Sequence, residues 1–174
     1  MATGSHLLLL LRHGIAEDAA SGGSDAERRL TGEGKRKLRE VAVGMRALKL
    51  PVDVILTSPL RRARETAEIV AVEHDIDESA VLTTAALAPA GDRDALFTVL
   101  GSHTRVAGIV LVGHQPDLGE LASVLLVGTP GLVQLPFKKA GLAAISVASL
   151  PPRTAGTLEF FLTPGQLRKM ASGS

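Results

Sequence analysis

Arg12, His13 and Gly14 follow the apolar run "LLLLL" at 7–11, and two later segments bring similar side chains to similar places. Ser58-Pro59-Leu60-Arg61-Arg62 follows "VDVILT" (52–57), and Gly113-His114-Gln115-Pro116 ends "GIVLVG" (108–113). Guanidinium groups grip phosphoryl oxygens two at a time. A neutral imidazole, available at neutral pH, can attack phosphorus, and a second imidazole, if protonated, can add positive charge on the opposite side. Gly14 lets the backbone pass close behind His13 and offers a carbonyl to orient its ring. The set points to a phosphate pocket. A histidine at a strand end is more often a hydrogen-bonded structural residue, and an arginine at a helix start is more often surface charge, so the arginines have to be sorted by position. Arg61 has Glu65 four residues on and Arg64 has Glu68, which suits ordinary surface pairs. Arg62 has Thr66 at that spacing and lies in phase with the stripe Thr66, Ile69 and Val70. A cation there opposes the helix dipole, so an inward-facing arginine without a local partner serves an anion better than it serves the helix.

These residues can meet only if the runs before them are neighbouring strands. The runs at 7–11, 52–57 and 108–113 lack strict alternation, as strands covered on both faces of a parallel sheet do. Between them Leu38, Val41, Ala42 and Met45 recur at helical spacing, with Lys35, Arg36, Lys37 and Arg39 on a solvated face. Thr31 is the expected N-cap of that helix, with Glu33 in its first turn. A second helix is expected to start at Ser58-Pro59 as N-cap and first residue, a third near Pro116, and a short one over 92–100 after a weaker strand at 81–87. The segments at 142–150 and 157–163 read as two strands joined by a turn. The expectation is a single three-layer α/β/α domain: a mostly parallel central sheet with an antiparallel C-terminal edge. In such sheets, sites form beyond the carboxyl ends of the strands, where all three segments arrive.

Composition sets the limits. A length of 174 residues suits one domain, and 45% hydrophobic with 21% charged residues is ordinary for a globular chain. A net charge of +1 and 2% aromatics give no reason to expect nucleic acid or a membrane as partner. The absence of cysteine excludes disulfides and thiolate chemistry. No apolar run is long enough to span a bilayer, so a cytoplasmic protein is expected. Residues 1–6 ("MATGSH") read as a tag remnant or ragged start, His6 included; 7–166 is the expected domain and 167–174 a tail. His74, among Glu73, Asp75 and Asp77, reads as a cation suited to a helix C-terminus, and His103 as a turn residue. Two rim histidines with no nearby Asp or Cys at ligand spacing do not make a metal site, so no metal and no cofactor is expected.

"LRHG" (11–14), "SPLRRARETA" (58–67) and "VGHQPDL" (112–118), with "LTGEG" (30–34), resemble the histidine phosphatase (phosphoglycerate mutase-like) superfamily over nearly the whole chain. The resemblance implies that His13 is the nucleophile and becomes phosphorylated, that Arg12 and Arg62 clamp the phosphoryl oxygens, and that His114 completes the pocket. Ala63 and Thr66 set the motif register at Arg62, in agreement with helix phase. The short chain, "RHGIAEDAA" and "LAPAGD" (87–92) are similar to the SixA-type phosphohistidine phosphatase branch. Larger members carry a general acid after the third strand; here residues 84–91 are "TAALAPAG", without a carboxylate. An alkoxide leaving group needs such an acid far more than an imidazole does. Glu17, Asp18 and Asp92 are the loop carboxylates that could still reach the pocket. The expected activity is therefore a metal-independent phosphatase acting on a phosphohistidine-bearing protein through phospho-His13. The alternatives are a broad phosphomonoesterase for small phosphorylated substrates and a non-catalytic phosphate- or phosphoprotein-binding module.

Overall fold

The computed structural model describes residues 5–18 and 24–172. Its sheet has six strands: β1 (His6–Arg12), β2 (Val54–Thr57), β3 (Val81–Thr83), β4 (Gly108–Gly113), β5 (Leu142–Val147) and β6 (Thr157–Leu162), in the order β3-β2-β4-β1-β5-β6. The neighbours β3–β2, β2–β4 and β4–β1 pair parallel, while β5 runs antiparallel to both β1 and β6. Five α-helices cover the two faces among the described residues: α1 (Gly32–Ala47), α2 (Arg61–Glu73), α3 (Arg93–Gly101), α4 (Asp117–Val127) and α5 (Pro164–Ala171).

The unbroken leucine run has a direct physical meaning. Successive side chains of a strand point to opposite faces. Leu7, Leu9 and Leu11 enter a core shared with Leu38 and Met45 of α1, Val70 of α2 and Leu167 of α5. Leu8 and Leu10 enter the other, with Leu96 and Leu100 of α3 and Leu121 and Leu125 of α4. A strand buried on both sides has no polar face to alternate with, and β1 and β4 are the central pair.

The ends of several elements differ from expectation. Strand β1 begins at His6, not Leu7; His6 pairs with Val147, and its Nδ1 lies 2.7 Å from the Val106 carbonyl oxygen. Of the expected tail at 167–174, residues 167–171 belong to a helix, α5. Thr163 and Gln166 form a reciprocal capping box, Pro164 opens α5, and Leu167 is fully buried against α1. Helix α2 starts two residues later than a Ser58 cap would place it, because Leu60 is still extended and the Ser58 hydroxyl also meets His114. Thr31 caps α1 as expected, its oxygen accepting from the Gly34 N–H. No described helix is long and apolar enough to cross a membrane.

Candidate active site

The parallel register of β1 and β4 sets Arg12 beside Gly113, so the two residues that follow, His13 and His114, emerge together. The His13 N–H donates to the Gly113 carbonyl at 3.1 Å, and the imidazole centroids stand 5.2 Å apart. On the far side of β4, the Ser58 N–H donates to the Val112 carbonyl, which fixes the end of β2 at the same level. Arg62 arrives from the first turn of α2. Its helix is tied to the His13–Gly14 loop by Thr66, whose hydroxyl accepts from the Gly14 N–H and donates to the Arg62 carbonyl. His13, Arg62 and His114 are all buried. Together with Arg12 they line an open cleft of about 400 Å³.

Hydrogen bonds decide where the protons sit. A carbonyl only accepts, so the 2.7 Å contact of His13 Nδ1 with the Gly14 oxygen places the ring proton on Nδ1 and leaves the lone pair on Nε2. Burial, with the charges of His114, Arg62 and Arg12 adding to it, pushes His13 down to about 3. It is therefore neutral at pH 7 and able to act as a nucleophile. Burial and the nearby Arg62 charge push His114 down to about 4, so it too is neutral. The positive charge that a protonated second imidazole would add is therefore absent from the free site, where burial and the neighbouring guanidinium disfavour a proton on the ring. A neutral ring can still donate. Ser58 Oγ accepts from the Leu60 N–H and lies 2.7 Å from His114 Nε2, so its own proton is available to that nitrogen. When the Ser58 hydroxyl donates to Nε2, the ring carries its own proton on Nδ1, which is buried and has no hydrogen-bond partner among the described residues. Arg12 has a second unspent donor: Nη1 holds the Phe137 carbonyl at 2.6 Å, while Nε is buried and unpartnered. Buried polar nitrogens are rarely left unsatisfied, and two of them beside the neutral His13 ring suit an oxyanion.

The structure also sorts the charged residues. Arg61 pairs with Glu65, as expected, whereas Arg64 forms no ion pair among the described residues. Arg62 faces inward but has a partner that no local spacing reveals: Nη1 donates to the Asp25 carbonyl and Nη2 to its carboxylate, at 2.7 and 3.0 Å. Hydrogen bonds from Arg28 and then Arg62 hold the Asp25 carboxyl below its ordinary range. The three candidate acids do not line the cleft. Asp92 caps α3, accepting from the Asp94 and Ala95 N–H groups; the Glu17 carboxylate faces Arg29 at 4.0 Å; Asp18 is exposed. The carboxylates beside the cleft are Asp25 and Asp117, the latter accepting from the Ala90 N–H. Arg28 and Lys139 stand at its edge. His74 is half-buried, and desolvation lowers it, so it is a neutral cap rather than the expected cation. Among the described residues, no three His, Asp or Glu side chains gather in a way that holds a metal ion.

A family model of the histidine phosphatase superfamily (branch 1) matches residues 8–88. An uncharacterized protein of Picosynechococcus sp. is 41% identical over 140 residues, covering 79% of this chain and 83% of that protein. Phosphohistidine phosphatase SixA of Escherichia coli is 29% identical over 164 residues, 92% of this chain and 96% of its own length. The solved structure of protein histidine phosphatase SixA complexed with tungstate superposes with a TM-score of 0.79 at 27% identity, covering 92% of this chain and 99% of that one.

Proposed function

The chain belongs to the histidine phosphatase superfamily and is a phosphatase, and from that premise we propose that it hydrolyses phosphohistidine carried on a protein, without a metal ion, through a phospho-His13 intermediate. His13 Nε2 attacks phosphorus in line, a bond forms between them, and the phosphorus–nitrogen bond of the substrate breaks with its electron pair returning to the substrate imidazole. Arg12, Arg62 and the Nδ1–H of His114 hold the phosphoryl oxygens as charge spreads over them. Because His13 keeps its Nδ1 proton against the Gly14 carbonyl, phosphorylation at Nε2 leaves the ring cationic. That ring is a good leaving group when water attacks phosphorus in the second step. Water displaces Nε2, its electron pair stays on His13, and inorganic phosphate departs.

The observation that carries the substrate class is the state of the nearby carboxylates. Asp25 is an ionised acceptor for Arg28 and Arg62, and Asp117 is an acceptor for a backbone amide. Asp25, held as the acceptor of two guanidinium groups, is not arranged to hold a proton for a departing alkoxide, which a phosphate ester needs and a phosphoramidate needs much less. The relationship to SixA supports the same reading.

The test compares initial rates on a histidine-phosphorylated phosphotransfer domain and on a panel of sugar and nucleoside phosphates, in the presence of a chelator. The phosphoprotein should be preferred. His13→Ala should lower the rate by about a thousandfold or more, and Arg62→Ala should lower it far more than Arg61→Ala. Faster turnover of a small ester would move the substrate to that class, and near-normal turnover by His13→Ala would overturn the mechanism.

A further inference from the structure

Residues 137–141 form a tight turn locked onto the nucleophile segment. Phe137 is buried, and its carbonyl accepts from Arg12 Nη1. The Ala140 N–H donates to the carbonyls of both Arg12 and His13, each at 3.1 Å, and the Gly141 N–H returns to the Lys138 carbonyl at 2.7 Å. Ala140 adopts the left-handed conformation, with φ +62°, which a non-glycine residue takes up only when its surroundings require it. Between the two anchors lie Lys138 and Lys139, both exposed, and neither ammonium pairs with a carboxylate among the described residues. Two free cations are thus held on a backbone that cannot drift away from His13.

The chain carries a net charge of only +1, yet this edge is strongly basic. Arg12, Arg28, Arg62, Lys138 and Lys139 gather where Asp25 and Asp117 are the nearby carboxylates. Arg12 and Arg62 serve the phosphoryl group in the proposed function, and Arg28 and Arg62 both meet Asp25, at 2.8 and 3.0 Å. The charge left over is that of the two lysines. Lys139 borders the cleft and Lys138 lies beyond its lining, so the positive charge continues onto the open surface, past the reach of a small ester.

We propose that the Lys138–Lys139 turn is a docking edge for an acidic protein surface, reading Asp and Glu side chains that flank the phosphohistidine of the substrate. This rests on the phosphohistidine reading above and narrows it to acidic partners. Exposed charges at a rim act mainly on encounter and on KM, and they weaken as salt rises.

The experiment uses three substrates: free phosphohistidine, a peptide with one phosphohistidine flanked by Asp and Glu, and the same peptide with Ser and Gly flanks. The wild-type protein should favour the acidic peptide by about tenfold in kcat/KM, with the preference shrinking at high salt. K138E/K139E should abolish or reverse that preference through KM, and K138A/K139A should reduce it. Both should keep their rate on free phosphohistidine within about twofold. Equal kcat/KM on the two peptides in the wild type, or a preference that survives in both variants, would overturn the lysine assignment while leaving the proposed function intact. A wild-type protein that spares all three substrates but hydrolyses esters would overturn the proposed function and this inference with it.

Discussion

At the scale of single residues, the position of the proton on His114 is the point on which the site turns. The Ser58 hydroxyl lies 2.7 Å from Nε2, and by donating there it would favour the tautomer that donates from Nδ1. Ser58→Ala should let the ring populate both tautomers and lower kcat/KM by about tenfold to a hundredfold, with Ser58→Thr restoring part of the loss. Nitrogen chemical shifts of His114 would report the tautomer directly, which distinguishes positioning from simple destabilisation. Arg12, His13, Arg62 and His114 were legible in the sequence because each follows an apolar run or rides an apolar stripe. Ser58 was visible only as a helix cap, since its hydroxyl reaches a ring 56 residues away. Asp25 lies 37 residues from Arg62, and no spacing rule joins them. The acids Glu17, Asp18 and Asp92 were plausible by proximity to the motifs, but a cap or a neighbouring arginine claims two of them and solvent the third.

At the scale of elements, the helix least visible in the sequence is held by one of the closest contacts in the fold. A Cβ added at Gly44 of α1 would lie 2.0 Å from the Leu167 carbonyl of α5. Gly44→Ala should therefore destabilise the protein by about 1–3 kcal/mol in chemical denaturation, with kcat of the folded protein unchanged. Backbone oxygens cannot move aside as flexible side chains do. Periodicity revealed the strands with buried faces and the helices with one clean stripe. It missed α5 because that helix has eight residues and Leu167 is the buried one among them, too little for a pattern. It misplaced the start of α2 because Ser-Pro is a good helix opening by local rules, and a tertiary contact outweighed them.

At the scale of the whole molecule, stability and protonation are linked through histidines buried as neutral rings. His13 and His114 sit at about 3 and about 4, against about 6.5 for an exposed imidazole. Between those values the unfolded chain binds protons that the folded one refuses, so stability falls as pH is lowered from about 6.5 toward 3. Denaturation midpoints measured across that range should show the slope, and replacing His13 and His114 with Asn should flatten it. The domain architecture was legible because five leucines in a row admit few alternatives to a strand buried on both sides. That strand has a further consequence. Its side chains knit together the two cores, and its last residues are Arg12 and the approach to His13. Neither layer of helices can peel away without uncovering the strand that leads into His13. The amides of β1 should be among the last to exchange with deuterated solvent, and they should do so only when the whole domain opens. Activity and global structure are then lost in one step, and partial unfolding yields no working fragment.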